Sequence, residues 1–142
     1  MNASVPACPA PASAGPPPHL TLAATEQAPA LARAYARDVV KYTVTDPDAE
    51  YLFTVALVVS ELVTNSVRYG SEPGDRLRVV VDTTDARTRI QVHDTVRREP
   101  RLRPESDERC RGRGLYIVDA LATWGIADRP FGKVVWAEVR PQ

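Results

Sequence analysis

The sequence predicts an α/β two-layer sandwich, a mixed and mostly antiparallel sheet with helices on one face. Two observations carry that prediction. Alternating strand-like segments occur in two pairs, Leu77–Val81 with Arg87–Val92 and Thr123–Ala127 with Lys133–Val139, each pair joined by a short turn. Before and between the pairs stand segments whose apolar residues recur at helical spacing. A chain of 142 residues that is 44% apolar is sized for one domain with an ordinary core.

Taken in order, residues 1–18 are rich in Pro and Ala and have little to bury. They read as a disordered or polyproline-like tail ahead of a domain spanning 19–142. His19–Ala24 reads as a short strand. Thr25 is a candidate N-cap for a first helix from Glu26 to Lys41, with Leu31, Tyr35 and Val39 at four-residue steps and Pro29 in the opening turn. A loop at Thr43–Pro47 leads to the longest element, a helix from Ala49 to Tyr69 capped by Asp46 or Asp48 and stopped at Gly70. After the Ser71–Asp75 turn comes the first hairpin around Asp82–Ala86. In its second strand Ile90 and Val92 alternate with Arg89, Gln91 and His93, so one face is wet or lines a cavity. Residues 95–111 hold two prolines and dense charge without apolar periodicity, which predicts a long loop. Beyond Gly112–Arg113–Gly114 a helix is expected from Leu115 to about Ala122, then the second hairpin around Asp128–Gly132.

Eighteen basic residues balance eighteen acidic ones, so no overall field calls for nucleic acid or an anionic membrane. Cys8 and Cys110 make no disulfide framework, which suits a reducing compartment. The sequence has no run of 18 apolar residues, and its first twenty residues lack Lys and Arg and are broken by prolines. Neither a membrane span nor a signal peptide is expected, and a cytoplasmic location follows.

Three features carry chemistry. On the second helix Leu52, Val55, Ala56, Val59, Leu62, Val63 and Ser66 gather into a core arc at about 100° per residue. Glu61 and Asn65 stand together on the other side, flanked by Leu57, Val58 and Tyr69. A carboxylate and a carboxamide on a partly apolar surface need partners; the amide oxygen suits Mg²⁺ and the carboxylate suits orienting or deprotonating a hydroxyl. The second feature is Asp94, an acid where a strand gives way to a loop, able to accept from an exocyclic amine. The third is Gly112–Arg113–Gly114–Leu115, a glycine pair before an apolar helix, where backbone amides can approach an anion. It is neither a Walker loop nor a dinucleotide fingerprint. Arg97, Arg98, Arg101, Arg103, Arg109 and Arg111 precede it. Each feature alone also fits a plainer role: exposed helix residues, a loop cap, a helix start in a solvated charged segment.

Together, Glu61–Leu62–Val63–Thr64–Asn65–Ser66–Val67–Arg68–Tyr69–Gly70, then Val92–His93–Asp94, then Gly112–Arg113–Gly114–Leu115–Tyr116–Ile117–Val118 resemble the GHKL ATPase superfamily in order and spacing. More narrowly, the chain resembles short actinobacterial ATP-binding regulators related to anti-sigma factor serine/threonine kinases, and Gly132–Glu138 is similar to theirs as well. The resemblance covers about residues 20–139 and implies a Bergerat-type ATP-binding fold with ATP and Mg²⁺ as cofactors. It implies that Asn65 holds the Mg²⁺, that Glu61 is the catalytic residue, as general base or water-orienting carboxylate, and that Asp94 accepts from the adenine amino group. Segment 95–111 would be a lid, and Gly112, Arg113, Gly114 and Leu115 would wrap the phosphates. The implied partners are a sigma factor, an anti-anti-sigma antagonist whose serine or threonine is phosphorylated, and a second copy of the chain; no nucleic acid or membrane is implied. A nucleotide-dependent binding module without phosphoryl transfer is the alternative. Two departures bear on that choice: Asp94 is followed by Thr95 and Val96 where the family pattern is Asp-x-Gly, and Tyr69 stands where histidine is frequent.

Overall fold

The computed structural model describes residues 15–94, 106–130 and 132–142, with backbone alone over 106–113. In chain order the elements are β1 (Leu20–Ala23), α1 (Ala28–Thr43), α2 (Ala49–Asn65), a π-helical turn (Ser66–Gly70), β2 (Arg76–Thr83), β3 (Thr88–Asp94), α3 (Ser106–Leu121), β4 (Thr123–Arg129) and β5 (Gly132–Val139). The strands form one five-stranded sheet in the order β1-β2-β3-β5-β4. Every adjacent pair is antiparallel, so the sheet is antiparallel throughout rather than mixed. Because β5 lies between β3 and β4 and opposes both, β3 and β4 run in the same sense, and the chain passes from one to the other through α3.

Alternation sorts the sheet into two faces. Leu22, Leu77, Val79, Val81, Ile90, Val92, Ala137 and Val139 are buried under the helices. Arg78, Asp82, Arg89, Gln91, His93, Trp136 and Glu138 project from the opposite face, where Arg89 sits 4.5 Å from the Trp136 ring and 2.9 Å from Glu138.

α1 begins two residues later than expected, with Gln27 at its N-cap position and Pro29 in the first turn. Its buried face is Ala28, Ala32, Tyr35, Ala36, Val39 and Val40. Leu31 is 53% exposed, because the alanines, not the four-step series through Leu31, give the small surface on which α2 can approach closely. At the other end of the tail segment, the Tyr35 hydroxyl donates to the Pro17 carbonyl at 2.7 Å. Residues 1–14, which hold most of the Pro-rich tail, lie outside the described residues.

Asp48 caps α2 by accepting from the Glu50 amide, while Asp46 adopts a left-handed φ of 49° in the loop. Val58, expected opposite the core arc, is fully buried and Tyr51 nearly so; α2 packs against α3 as well as against α1 and the sheet. With the π-helical turn the helix runs Ala49–Gly70, long and apolar enough by length and composition to cross a membrane; in this fold Val55, Val58, Val59, Leu62 and Val63 spend that apolarity on the core. Tyr51 reaches the hairpin end of the sheet, where its hydroxyl lies 2.6 Å from Thr88 Oγ1 and 3.2 Å from the Val139 carbonyl, and Thr88 lies 2.7 Å from Thr83 Oγ1. Burial raises the Tyr51 pKa, opposed by the Thr88 hydrogen bond.

The largest departure is at α3. The predicted 95–111 loop falls outside the described residues over 95–105, but from Ser106 the chain is helical, nine residues before the expected start. Charge density without apolar periodicity reads as loop, yet it equally suits a helical turn that has nothing to bury.

Candidate functional site

The site is built on the side of α2 that faces α3. Glu61 and Asn65, one turn apart, are both half-buried. α3 crosses them with Gly114, and an added Cβ there would stand 2.8 Å from Glu61 Oε2, 3.4 Å from Asn65 Oδ1 and 3.5 Å from Asn65 Nδ2. A side chain at this position would have to displace the end of the Glu61 side chain and would press on the Asn65 amide. Three of the residues singled out by sequence, from two elements far apart in the chain, are thus brought into one place.

The glycine pair does not form the expected turn. Gly112 and Gly114 lie inside α3, whose first residue is Ser106. Their amides are therefore not the unpaired donors of a helix N-terminus. Gly114 serves close approach instead. Gly112 and Arg113 lie in the backbone-only part of α3, and Leu115 is half-buried next to Gly114. Two glycines in a helix interior each cost roughly 1 kcal/mol relative to alanine, so this stretch of α3 is intrinsically weak.

Asp94 ends β3 on the helix-facing side of the sheet, in register with Leu77 and alternating with Ile90 and Val92. The π-helical turn that continues α2 beyond Asn65 packs against β3, which links the Glu61/Asn65 end of the helix to the end of the strand carrying Asp94. Such turns concentrate at functional sites. Gly132 closes the other side. Its φ is 142°, and a Cβ would stand 2.8 Å from the Asp94 carbonyl oxygen, so the β4–β5 turn abuts Asp94 only because residue 132 is glycine. The sequence signal for that contact is a glycine that ends the Asp128–Gly132 turn immediately before an alternating strand. Among the described residues no cluster of three or more His, Cys, Asp or Glu is suited to a metal. A cation at Glu61/Asn65 would therefore depend on ligand oxygens and water, as Mg²⁺ on phosphates commonly does.

His93, one residue from Asp94, belongs to the other face. Its Nε2 is 2.9 Å from Gln91 Oε1, and burial, then Arg78 and Arg129, lower its pKa. It takes no part in this site.

The arrangement is a half-buried acid and carboxamide under a helix backbone, with the π-helical turn leading from them to the strand that ends in a second acid. The two carboxylates can accept from hydrogen-bond donors, and an anionic group would need a cation between it and them. A family model described as histidine kinase-like ATPase domain matches residues 21–137. No curated protein matches the chain.

Proposed function

The chain belongs to the histidine kinase-like ATPase domain family, an ATP-binding family, and from that premise we propose that it is a nucleotide-dependent regulator that phosphorylates a protein antagonist on serine or threonine and so controls a sigma factor or comparable partner. The observation that carries the reading is the approach of Gly114 to both Glu61 and Asn65. A glycine kept there brings the α3 backbone onto the carboxylate and the carboxamide to which this reading gives the proton and the metal.

In this reading Asn65 Oδ1 ligates Mg²⁺, and Asp94 accepts from the adenine amino group. Arg113, Gly112, Gly114 and Leu115 flank the phosphates. The metal, when bound, neutralises charge on the phosphate oxygens. Glu61 takes the proton of the incoming hydroxyl as its oxygen bonds to the γ-phosphorus; the bond to the β–γ bridging oxygen breaks, and ADP leaves. The partner's phosphorylation state then decides which protein is held.

A second reading, a module that uses ATP as a switch without transfer, is favoured by Thr95–Val96 after Asp94, where a glycine would allow closer backbone approach. Incubation with labelled Mg-ATP and a candidate antagonist separates the two. The kinase reading requires a phosphoprotein that disappears in Glu61→Gln; nucleotide binding without any phosphoprotein leaves only the switch.

A further inference from the structure

The sheet's outer face carries a basic patch on the side turned away from the nucleotide site. Arg78 is the cross-strand neighbour of His93, His93 of Val134, and Val134 of Ala127, so these four residues form one row across β2, β3, β5 and β4. Four strands span about 14 Å. Arg129 stands beside the row on β4, alternating with Ala127 on the same face. Arg78 and Arg129 are both exposed, and among the described residues neither is paired with a carboxylate. The arginines at the other end of the face differ in this respect. Arg87 and Arg89 are engaged by Glu138 at 3.7 Å and 2.9 Å.

We infer that this row is a docking surface for a carboxylate-rich segment of a partner protein, held by Arg78 and Arg129 across His93. Three features favour a protein over nucleic acid or membrane. The chain carries no net charge, so no overall field gathers a polyanion. Asp82 and Glu138 project from the same face and oppose a continuous run of phosphates. Half-buried Val80 and Trp136 and buried Val134 give an apolar floor beside the cations, the combination of aliphatic, aromatic and Arg groups typical of protein interfaces. The unpaired arginines supply charge complementarity to an acidic segment. The surface lies across the sheet from Glu61 and Asn65, so partner docking and nucleotide binding use opposite layers.

His93 adds a signature. It is faced by Arg78 from β2, Arg129 from β4 and Gln91 on its own strand, with Val134 of β5 beneath. A carboxylate docked among these groups favours the imidazolium, so docking takes up a proton and tightens as pH falls.

The test is fluorescence titration of the full chain with a labelled glutamate-rich peptide, against a single-stranded oligonucleotide and phosphatidylserine vesicles, with light scattering of the chain alone. The inference expects saturable, salt-sensitive peptide binding that weakens roughly tenfold or more in Arg78→Glu/Arg129→Glu but not in Lys41→Glu on the other layer. Binding that strengthens from about pH 7.5 to pH 5.5 in the wild type is expected to lose that dependence in His93→Gln. Absent peptide binding, equal loss in Lys41→Glu, pH dependence unchanged in His93→Gln, tighter binding of oligonucleotide or vesicles, or a self-association abolished by the double variant each overturns it. ATP affinity of the double variant, measured alongside, is expected to equal wild type; a wild type that fails to bind ATP refutes the proposed function and leaves this result standing.

Discussion

Gly114 is the residue on which fold and site pull in different directions. Alanine is about 1 kcal/mol more favourable than glycine in a helix interior, and the nearest obstruction to a new methyl group is the free end of the Glu61 side chain at 2.8 Å. Gly114→Ala is therefore expected to leave the unfolding midpoint unchanged or raised while nucleotide affinity falls at least severalfold; thermal melts and ATP titrations of the same preparation check both halves. The Tyr51–Thr88–Thr83 hydroxyls behave oppositely, since they touch no site and only stability registers them. With the Tyr51 proton on the Val139 carbonyl, Thr88 donates to Tyr51 and Thr83 to Thr88, and every hydroxyl is used. Thr88→Val leaves buried partners unsatisfied and is expected to cost about 1–3 kcal/mol in urea unfolding, with ATP binding unaltered. Glu61, Asn65 and Asp94 were legible in sequence as chemical types. That Gly114 touches two of them was not, because the contact joins residues some fifty apart in the chain and depends on the path of a helix whose start carries no apolar signal.

At the scale of elements, periodicity located all five strands and both of the first two helices, with no end shifted by more than two residues once the π-helical turn is counted with the second helix. Strand alternation is strong here because one face meets helices and the other meets water. Helix faces were read less well. The α1 series through Leu31 was chosen for size, whereas close helix packing selected Ala32 and Ala36. The two readings separate cleanly in mutants. Ala32→Leu overpacks a site with no exposed surface and is expected to cost about 1–3 kcal/mol, while Leu31→Ala should stay within about 0.5 kcal/mol of wild type in the same denaturation assay. For α2, one apolar arc was visible, but Val58, outside it, is fully buried in a helix that packs against α1, α3 and the sheet. Helical wheels assign a face to the core only when it is known what covers that face.

For the whole molecule, the proposed reading gives the two layers of the sandwich separate roles: nucleotide binding under the helices and a docking surface on the outer side of the sheet. The outer layer sets a pH dependence of stability. The His93 pKa in the folded chain lies below 6.5, so the unfolded chain binds the extra proton first. Stability associated with neutral His93 is complete above the unfolded value and is lost as pH falls below it toward the folded one. Urea midpoints are expected to decline on that side, and His93→Gln to flatten the decline. The account as a whole rests on Glu61, Asn65 and Asp94 forming one nucleotide site. Calorimetric titration of ATP into the wild type and Asn65→Ala, with and without Mg²⁺, tests this most directly. The account predicts ATP binding that Mg²⁺ strengthens in the wild type and no longer strengthens in Asn65→Ala; a wild type that binds no adenine nucleotide, or an Asn65→Ala variant with undiminished Mg²⁺ dependence, contradicts it.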